Sequence, residues 1–425
     1  MSAPPYISPS VIRSALKPEY FQTIPLIVEA EPDINIFSFS GSLSEILKID
    51  IRKTIPYMNM FSIIIPRNLL NELISIPGIR TVSLDRTHFT LDFIPSKIIQ
   101  DIKSTLDGMI PTSEAIKKVN VPALHAQGIT GRGVKVAVLD TGIDLANPQI
   151  KGAAVKMSTI KLQPTGEDEN GHGTHCATIL AGKTFTDNLT GLIAQGVAPD
   201  CNITSIKVLG FGIGTGMTSD IMEAMEIAVN QGNKVISMSL GSEGSADEDE
   251  DPMVRMIDKY AGTHPDVIFV IAAGNSGPSG KTIGIPGVAE HAITVGSWGI
   301  IDNITAYFSS RGPTAQSSRI KPDICGCGGG RKTDKLRPKE NIWSGTSLGS
   351  LLDPADKFYN AFTAICGSSM STPQVAGIIA LWKQMFPELT ESVIKGILKA
   401  SSKQTKNTEN GWGLIDATWI LTLSS

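Results

Sequence analysis

The chain has 425 residues, of which 41% are apolar and only 18% charged, with 41 Gly and 25 Pro. That composition excludes intrinsic disorder, which needs low hydrophobicity and high charge, and a net charge of −4 without a basic block excludes the electrostatic footprint of a nucleic-acid binder. No apolar run approaches the roughly 18 residues of a membrane span, and the length suits one large domain and a smaller one at about 100–200 residues per domain.

The opening, MSAPPYISPS, lacks the charged and apolar regions of a secretory signal. This leaves open an intracellular protein or one whose leader has been removed. Up to about residue 108 the chain is rich in Ile and poor in Gly. From about 25 to 93 it reads as a small α/β module: PLIVEA and FSIIIP as strands, RNLLNELISI as an amphipathic helix, then strands in GIRTVSLDRTHFTLDF. A linker, IPSKIIQDIKSTLDGM, follows.

After about residue 130 the texture changes to buried runs punctuated by glycine. Val134–Leu139, Val235–Leu240 and Val267–Ala273 are continuous and apolar, as strands covered on both faces should be. Between the first two, Asp220–Gln231 reads as a helix capped by Asp220, with Ile221, Met225, Ala228 and Val229 on one face and Gly232 past its end. This rhythm predicts an α/β fold with a doubly wound, mostly parallel sheet and helices on both faces. Ligand sites in such sheets lie beyond the carboxyl ends of the strands.

Three segments there carry chemistry. VAVLDTGID ends a strand at Asp140, which alone would pass for a turn aspartate. NGHGTHCATILAG holds His172 and His175 ahead of a small-residue helix. His172, His175 and Cys176 suggest zinc, but no general-base Glu lies between the histidines and no further ligand group is evident. CGSSMSTPQVAG places Ser369 in a turn opening an apolar helix, where an N-cap serine is the bland alternative and Pro373 is expected in the first turn. Together the three are less bland. A hydroxyl needs an imidazole to take its proton, and the imidazole needs a carboxylate to fix its tautomer. Asp, His and Ser in that chain order match the order seen in subtilisin.

DTGID, NGHGTH and GSSMSTP resemble the signature segments of the subtilisin-like serine proteases, the subtilases, over about residues 112–420. The resemblance implies a serine endopeptidase in which Asp140 orients the imidazole, His172 is general base and acid, and Ser369 is the nucleophile. His175 is then a structural neighbour. Ser347, in WSGTSLGS, carries the family's usual GTS tripeptide but lacks the Met and the S-T-P that follow Ser369. Asn275, after a buried strand in VIAAGNSGP, is the expected oxyanion donor. Ser239, Leu240 and Gly241 with Ala272, Ala273 and Gly274 correspond to the walls of the primary specificity pocket, and Gly284 to its floor. All are small or apolar, which implies a preference for large hydrophobic residues before the scissile bond.

The acidic run Asp247–Asp251 reads as a solvated loop, with a rim favouring basic substrate residues as the sharper alternative. Gln374 stands where the family usually has His. No cofactor is implied. Structural calcium has weak support, because Gln149 replaces a ligating Asp, although TDNLTGLIAQ is partly polar. An insertion runs from Cys325 to Cys366, and CGCGGG reads as cysteines rather than a metal site. With Cys176, Cys201, Cys325, Cys327 and Cys366 an odd set, at least one is unpaired within the chain. The end of the small module, with PGIRTVSLD, is similar to the inhibitory propeptide of the family. The expected division is therefore a propeptide-like domain with its linker over 1–108 and a catalytic domain over 109–425, self-processed in the linker. Protein or peptide substrates, the chain's own prodomain, a monomeric state and secretion follow from the same resemblance. The rival reading is a catalytically inactive subtilase-fold binding protein.

Overall fold

The computed structural model describes residues 5–16, 23–90, 108–150, 154–188, 190–242, 248–330, 340–350, 352 and 361–423. Most of the expected self-cleavage linker and Asp247 lie outside these residues. The three apolar runs form adjacent strands, Lys135–Asp140, Val235–Met238 and Ile268–Ala272, in the middle of an eight-stranded sheet. Asn202–Lys207 and Ala154–Ser158 extend it on one side, and Ile293–Gly299, Ile324–Cys327 and Ile304–Thr305 on the other. All its pairings are parallel except that of Ile304–Thr305. Helices cover both faces, so the central strands are buried on both sides: Val136 and Val138 join one core, Ala137 and Leu139 the other. The chain leaves Lys135–Asp140, crosses to the edge, and returns to build outward on its other side. Asp140 thus stands at the switch in strand order, where α/β sheets place their sites.

The first ninety or so residues form a five-stranded sheet in the order Tyr6–Ile7, Ile79–Leu84, Thr23–Ala30, Met60–Pro66, Ile51–Ile55. Period-two alternation divides its side chains. Leu26, Val28, Phe61 and Ile63 pack in the module's own core, while Ile27, Ile55 and Met60 join the core under helices Thr218–Asn230 and Pro252–Thr263. Tyr57 stacks on Tyr260 with ring centroids 4.1 Å apart, and Arg255 donates to both oxygens of Glu29 at 2.8 and 3.0 Å. RNLLNELISI is shorter than its pattern suggests, a 3₁₀ turn Arg67–Leu69 and helix Leu70–Ile74. Helix Ile36–Leu47, unannounced because serines and Gly41 dilute its apolar stripe, is capped by Asn35.

The predicted Asp220–Gln231 helix runs instead over Thr218–Asn230. Asp220 is not its cap: it lies inside the first turn and accepts from Arg52 at 2.6 Å. The cap comes from the N-terminal module, where Asp85 accepts from Ser219 N at 2.9 Å and from its hydroxyl at 2.7 Å. The acidic run is also corrected. Glu248 is fully buried and accepts from the amides of Ala315, Gln316 and Ser317 at 3.1, 2.7 and 2.9 Å, and Asp251 caps helix Pro252–Thr263. These two acids hold loops in place and present no solvated rim.

Candidate active site

Asp140 ends its strand and is fully buried. His172 opens helix His172–Ala181, and its Nδ1–H donates to Asp140 Oδ1 at 2.7 Å. The backbones approach so closely that a Cβ on Gly173 would stand 2.2 Å from the Gly142 carbonyl oxygen, so only glycine fits behind His172. Burial presses the His172 imidazole towards neutrality, but the Asp140 carboxylate outweighs it and holds the pKa well above the ordinary histidine value. With Nδ1 donating, Nε2 is the nitrogen left to take a proton.

Ser369 stands in the first turn of helix Ser368–Met385. Its hydroxyl donates to the Ser239 carbonyl at 3.2 Å. Its own carbonyl accepts from Ser239 Oγ at 2.9 Å and from the Cys176 thiol at 3.5 Å. That thiol also lies 3.8 and 3.9 Å from the two ring nitrogens of His172, so His172 and Ser369 flank one sulfur. Pro373 is not in the first turn but the sixth residue of the helix. Its missing N–H is the one that would have bonded Ser369 O, so the carbonyl is left for partners outside the helix. Asn275 Oδ1 accepts from Ser368 N at 2.9 Å, which fixes the oxygen end of the amide and leaves its NH₂ as the donor end.

Ser239 ends the run of strand Val235–Met238, and Leu240–Gly241 forms a short strand of its own. Ala272 closes the neighbouring strand, Ala273 and Gly274 follow, and Gly284 N donates to Ala273 O at 2.9 Å. A Cβ on Gly284 would meet Ser242 O at 2.8 Å, so that residue lies between the two walls. Strand Thr87–Thr90 of the N-terminal module runs antiparallel to both Thr215–Met217 and Leu240–Gly241. An extended segment of the chain thus occupies the groove beside the wall, as the middle strand of three.

Two supporting groups escaped the sequence. Asp168, buried, accepts from Thr141 Oγ1 at 2.8 Å, Gly171 N at 2.7 Å, and Thr174 N and Oγ1 at 2.8 and 2.6 Å. It ties the turn after Asp140 to the turn that carries His172; its only sequence signal is an acid just ahead of a helix start. Lys207, also buried, donates to the carbonyls of Thr141 and Glu167 at 2.8 and 2.9 Å. His175 points away from the triad, its Nε2–H donating to the carbonyls of Ile342 and Thr363 at 3.1 and 3.3 Å. The zinc alternative therefore loses His175: the ligand atoms lying within 4.8 Å of one another belong to Asp140, His172 and Cys176. All five cysteines are buried and outside any disulfide among the described residues, and burial pushes the Cys176 thiol up to about 11, which keeps it protonated at neutral pH.

Gln374, in the family's histidine position, accepts from Cys327 N at 2.6 Å and donates to Ala115 O at 3.1 Å, joining the Ser369 helix to its surroundings. Ser347 lies on the loop after strand Asn341–Gly345, its carbonyl accepting from Ser350 Oγ at 2.6 Å.

The family model described as the subtilase family matches residues 131–413. The serine protease AprX of Bacillus subtilis (strain 168) is 36% identical over 329 residues, 72% of this chain and 69% of that protein. The M-protease of Shouchella clausii (strain KSM-K16) is 34% identical over 355 residues, 82% of this chain and 80% of the relative. Subtilisin BL of Lederbergia lenta is 34% identical over 304 residues, 71% and 96% of the two chains. Among solved structures, fervidolysin from Fervidobacterium pennivorans, described as a keratinolytic enzyme related to subtilisin, shares the fold with a TM-score of 0.70 at 18% identity. That alignment covers 98% of this chain and 63% of the fervidolysin chain. With the motif segments inside the matched region, and relatives 34–36% identical over more than two thirds of their own length, the chain belongs to the subtilase family and is a subtilisin-like serine endopeptidase.

Proposed function

We propose that Ser369, His172 and Asp140 act as nucleophile, general base and orienting carboxylate, and that the enzyme is made as a self-processing zymogen. The observation that carries the catalytic assignment is the His172 Nδ1–Asp140 pair at 2.7 Å, with Ser369 across one thiol from the same ring. Ser369 Oγ turns from the Ser239 carbonyl to attack the scissile carbonyl carbon, and its proton passes to His172 Nε2. The imidazolium is stabilised by Asp140 and returns the proton to the leaving amine, after which water attacks the acyl-enzyme by the same route. Asn275 Nδ2 and Ser369 N–H donate to the oxyanion. The walls at 239–241 and 272–274 and the floor at Gly284 bring no acid, which supports a preference for large hydrophobic residues before the scissile bond.

The domain reading, 1–108 as propeptide with linker and 109–425 as catalytic domain, is supported by strand Thr87–Thr90 lying in the substrate groove as an added strand. Held there, the module blocks the cleft until the linker is cut. The proposal takes no calcium at the place where Gln149 replaces the family's ligating Asp. The Gln149 side chain already accepts from Gly345 N at 3.1 Å and donates to Lys183 O at 3.0 Å, and Asp187 in the neighbouring loop is engaged by Thr190 N at 2.8 Å. That donor set does not fit a calcium shell of six to eight oxygens.

Intact mass followed over time for the wild type beside Ser369→Ala tests the proposal. Loss of roughly the first hundred residues by the wild type alone is expected. Equal clipping of both, or of neither, overturns self-processing.

A further inference from the structure

The insertion between Cys325 and Cys366 does more than lengthen a loop. Strands Asn341–Gly345 and Phe362–Ile365 pair antiparallel, and Met109–Pro111 joins the first of them in parallel. This small sheet has its own apolar filling, with Trp343 stacked on Phe362 at 4.8 Å and Phe362 on Phe185 at 4.5 Å. The sheet and the loop after Gly345 follow helix His172–Ala181 from just before its start as far as Thr178. Leu352 N donates to Asn170 O at 2.9 Å and Thr346 Oγ1 to Gly171 O at 3.2 Å, on the two residues before His172. One turn on, His175 Nε2–H bridges Ile342 O and Thr363 O, one carbonyl from each strand. Further along, Thr178 Oγ1 meets Ser344 Oγ at 2.8 Å. Below, Asn147 Nδ2 donates to Thr346 O and Ala361 O, both at 2.9 Å, closing the loop.

We propose that this three-stranded sheet is a brace that sets the position of His172 for catalysis, and that His175 is the positioning residue through which it acts. The inference rests on the serine-protease reading above. His175 suits the task because both its partners are carbonyls, which requires a proton on Nε2, and because burial pushes its pKa down to about 3, so the imidazole stays neutral across the working range. A neutral ring can sit next to His172 without opposing the charge that His172 must carry during turnover. Met109–Pro111 gives the brace a second consequence. It begins at the last residue of the linker in which the chain is expected to be cut, so on the same reading a strand at the start of the mature enzyme is part of the device that holds its catalytic histidine.

The test uses the matured enzyme with a short chromogenic peptide, comparing wild type, His175→Ala and His175→Gln. Each is titrated with a fluorophosphonate to count competent serines, and its Tm is measured. Small displacements of a catalytic group cost about 10- to 100-fold. The expected result is such a fall in kcat for folded His175→Ala, KM within about twofold of wild type, and a displaced acid limb of kcat/KM, with partial recovery in His175→Gln, whose amide reaches one carbonyl. Folded His175→Ala with wild-type kcat and an unmoved pH profile overturns the inference. Should His175→Ala fail to fold, Thr178→Val and Ser344→Ala loosen the same contact from either side, and an unchanged kcat in both overturns it equally. A wild type that the fluorophosphonate does not label would instead defeat the serine-protease assignment, a separate result.

Discussion

Ser369 is held by its carbonyl as firmly as by its hydroxyl, and a proline makes that possible. Pro373 removes the helix bond that Ser369 O would have accepted, and Ser239 Oγ and Cys176 Sγ take its place. On the proposed mechanism the polar groups around Asp140, His172 and Ser369 divide into those that react and those that hold. For a group that reacts, Asp140→Asn should lower kcat on the order of 10⁴-fold, as loss of the orienting carboxylate does in other triads. In the proposed mechanism His172 must be neutral to take the serine proton, and Asp140 raises its pKa, so activity is expected to be lost as pH falls through a value above the ordinary ~6.5. A pH profile of kcat/KM should place the acid limb above that value in the wild type and lower in Asp140→Asn. Asn275→Leu should cost about 10²- to 10³-fold in kcat with little change in KM, a magnitude that belongs to the subtilisin asparagine. For a group that holds, Asp168→Asn keeps the shape but turns one acceptor oxygen into a donor facing amides or hydroxyls. Circular dichroism should read a native fold while kcat falls, and a wild-type kcat would remove Asp168 from the positioning set.

Between elements, the junction of the N-terminal module with the protease is built from complementary ends. Helix Thr218–Asn230 has no side-chain cap of its own, and Asp85 supplies one. Three residues on from Asp85, His88 is fully buried between strands, its Nε2 2.8 Å from Thr218 Oγ1. Burial, with Arg86 adding to it, pushes the His88 pKa down to about 3, while burial pushes Asp85 up to about 6. The signs oppose. His88 stabilises docking above about 6.5, and this is lost as pH falls towards 3; Asp85 stabilises docking at low pH, and this is lost as pH rises from its ordinary ~3.9 through 6. Between pH 4 and 6 the two offset, so docking should weaken chiefly below about pH 4, where only His88 still changes. Limited proteolysis of Ser369→Ala across pH 3–7 should show the module released in that range, and His88→Gln should move release to lower pH. Release at the same pH in both would show that His88 does not govern it.

At the scale of the whole molecule, one apolar core runs from the N-terminal module into the protease, through Ile27, Ile55, Met58 and Met60 against Met222, Met225 and Tyr260. Where the family resemblance implies a calcium ligand, the Gln149 side-chain amide bridges Gly345 and Lys183. A chelator should therefore leave Tm unchanged, while Gln149→Ala, which strands a buried amide and a carbonyl, should cost about 1–3 kcal/mol. A fall in Tm with chelator alone would place a cation in the fold after all. Differential scanning calorimetry measures both.

The sequence by itself determined the sheet and the segments at its strand ends, because strands buried on both faces must be apolar throughout and a site at a strand end must be punctuated by glycine. Asp140, His172 and Ser369 could be singled out because each lies in a long segment resembling a signature of the family, and the three segments follow in the family's order. What only the tertiary structure decided are relations between segments far apart in the chain. Asp85 caps a helix that Asp220 was expected to cap, Glu248 is spent on the loop at 315–317, and His175 belongs to a sheet some 170 residues further on. Pro373 reads as a first-turn residue until the helix start is known. Local patterns report what a segment does with its own backbone. A buried polar group takes whatever partner the fold brings to it, and that partner leaves no mark nearby in the sequence.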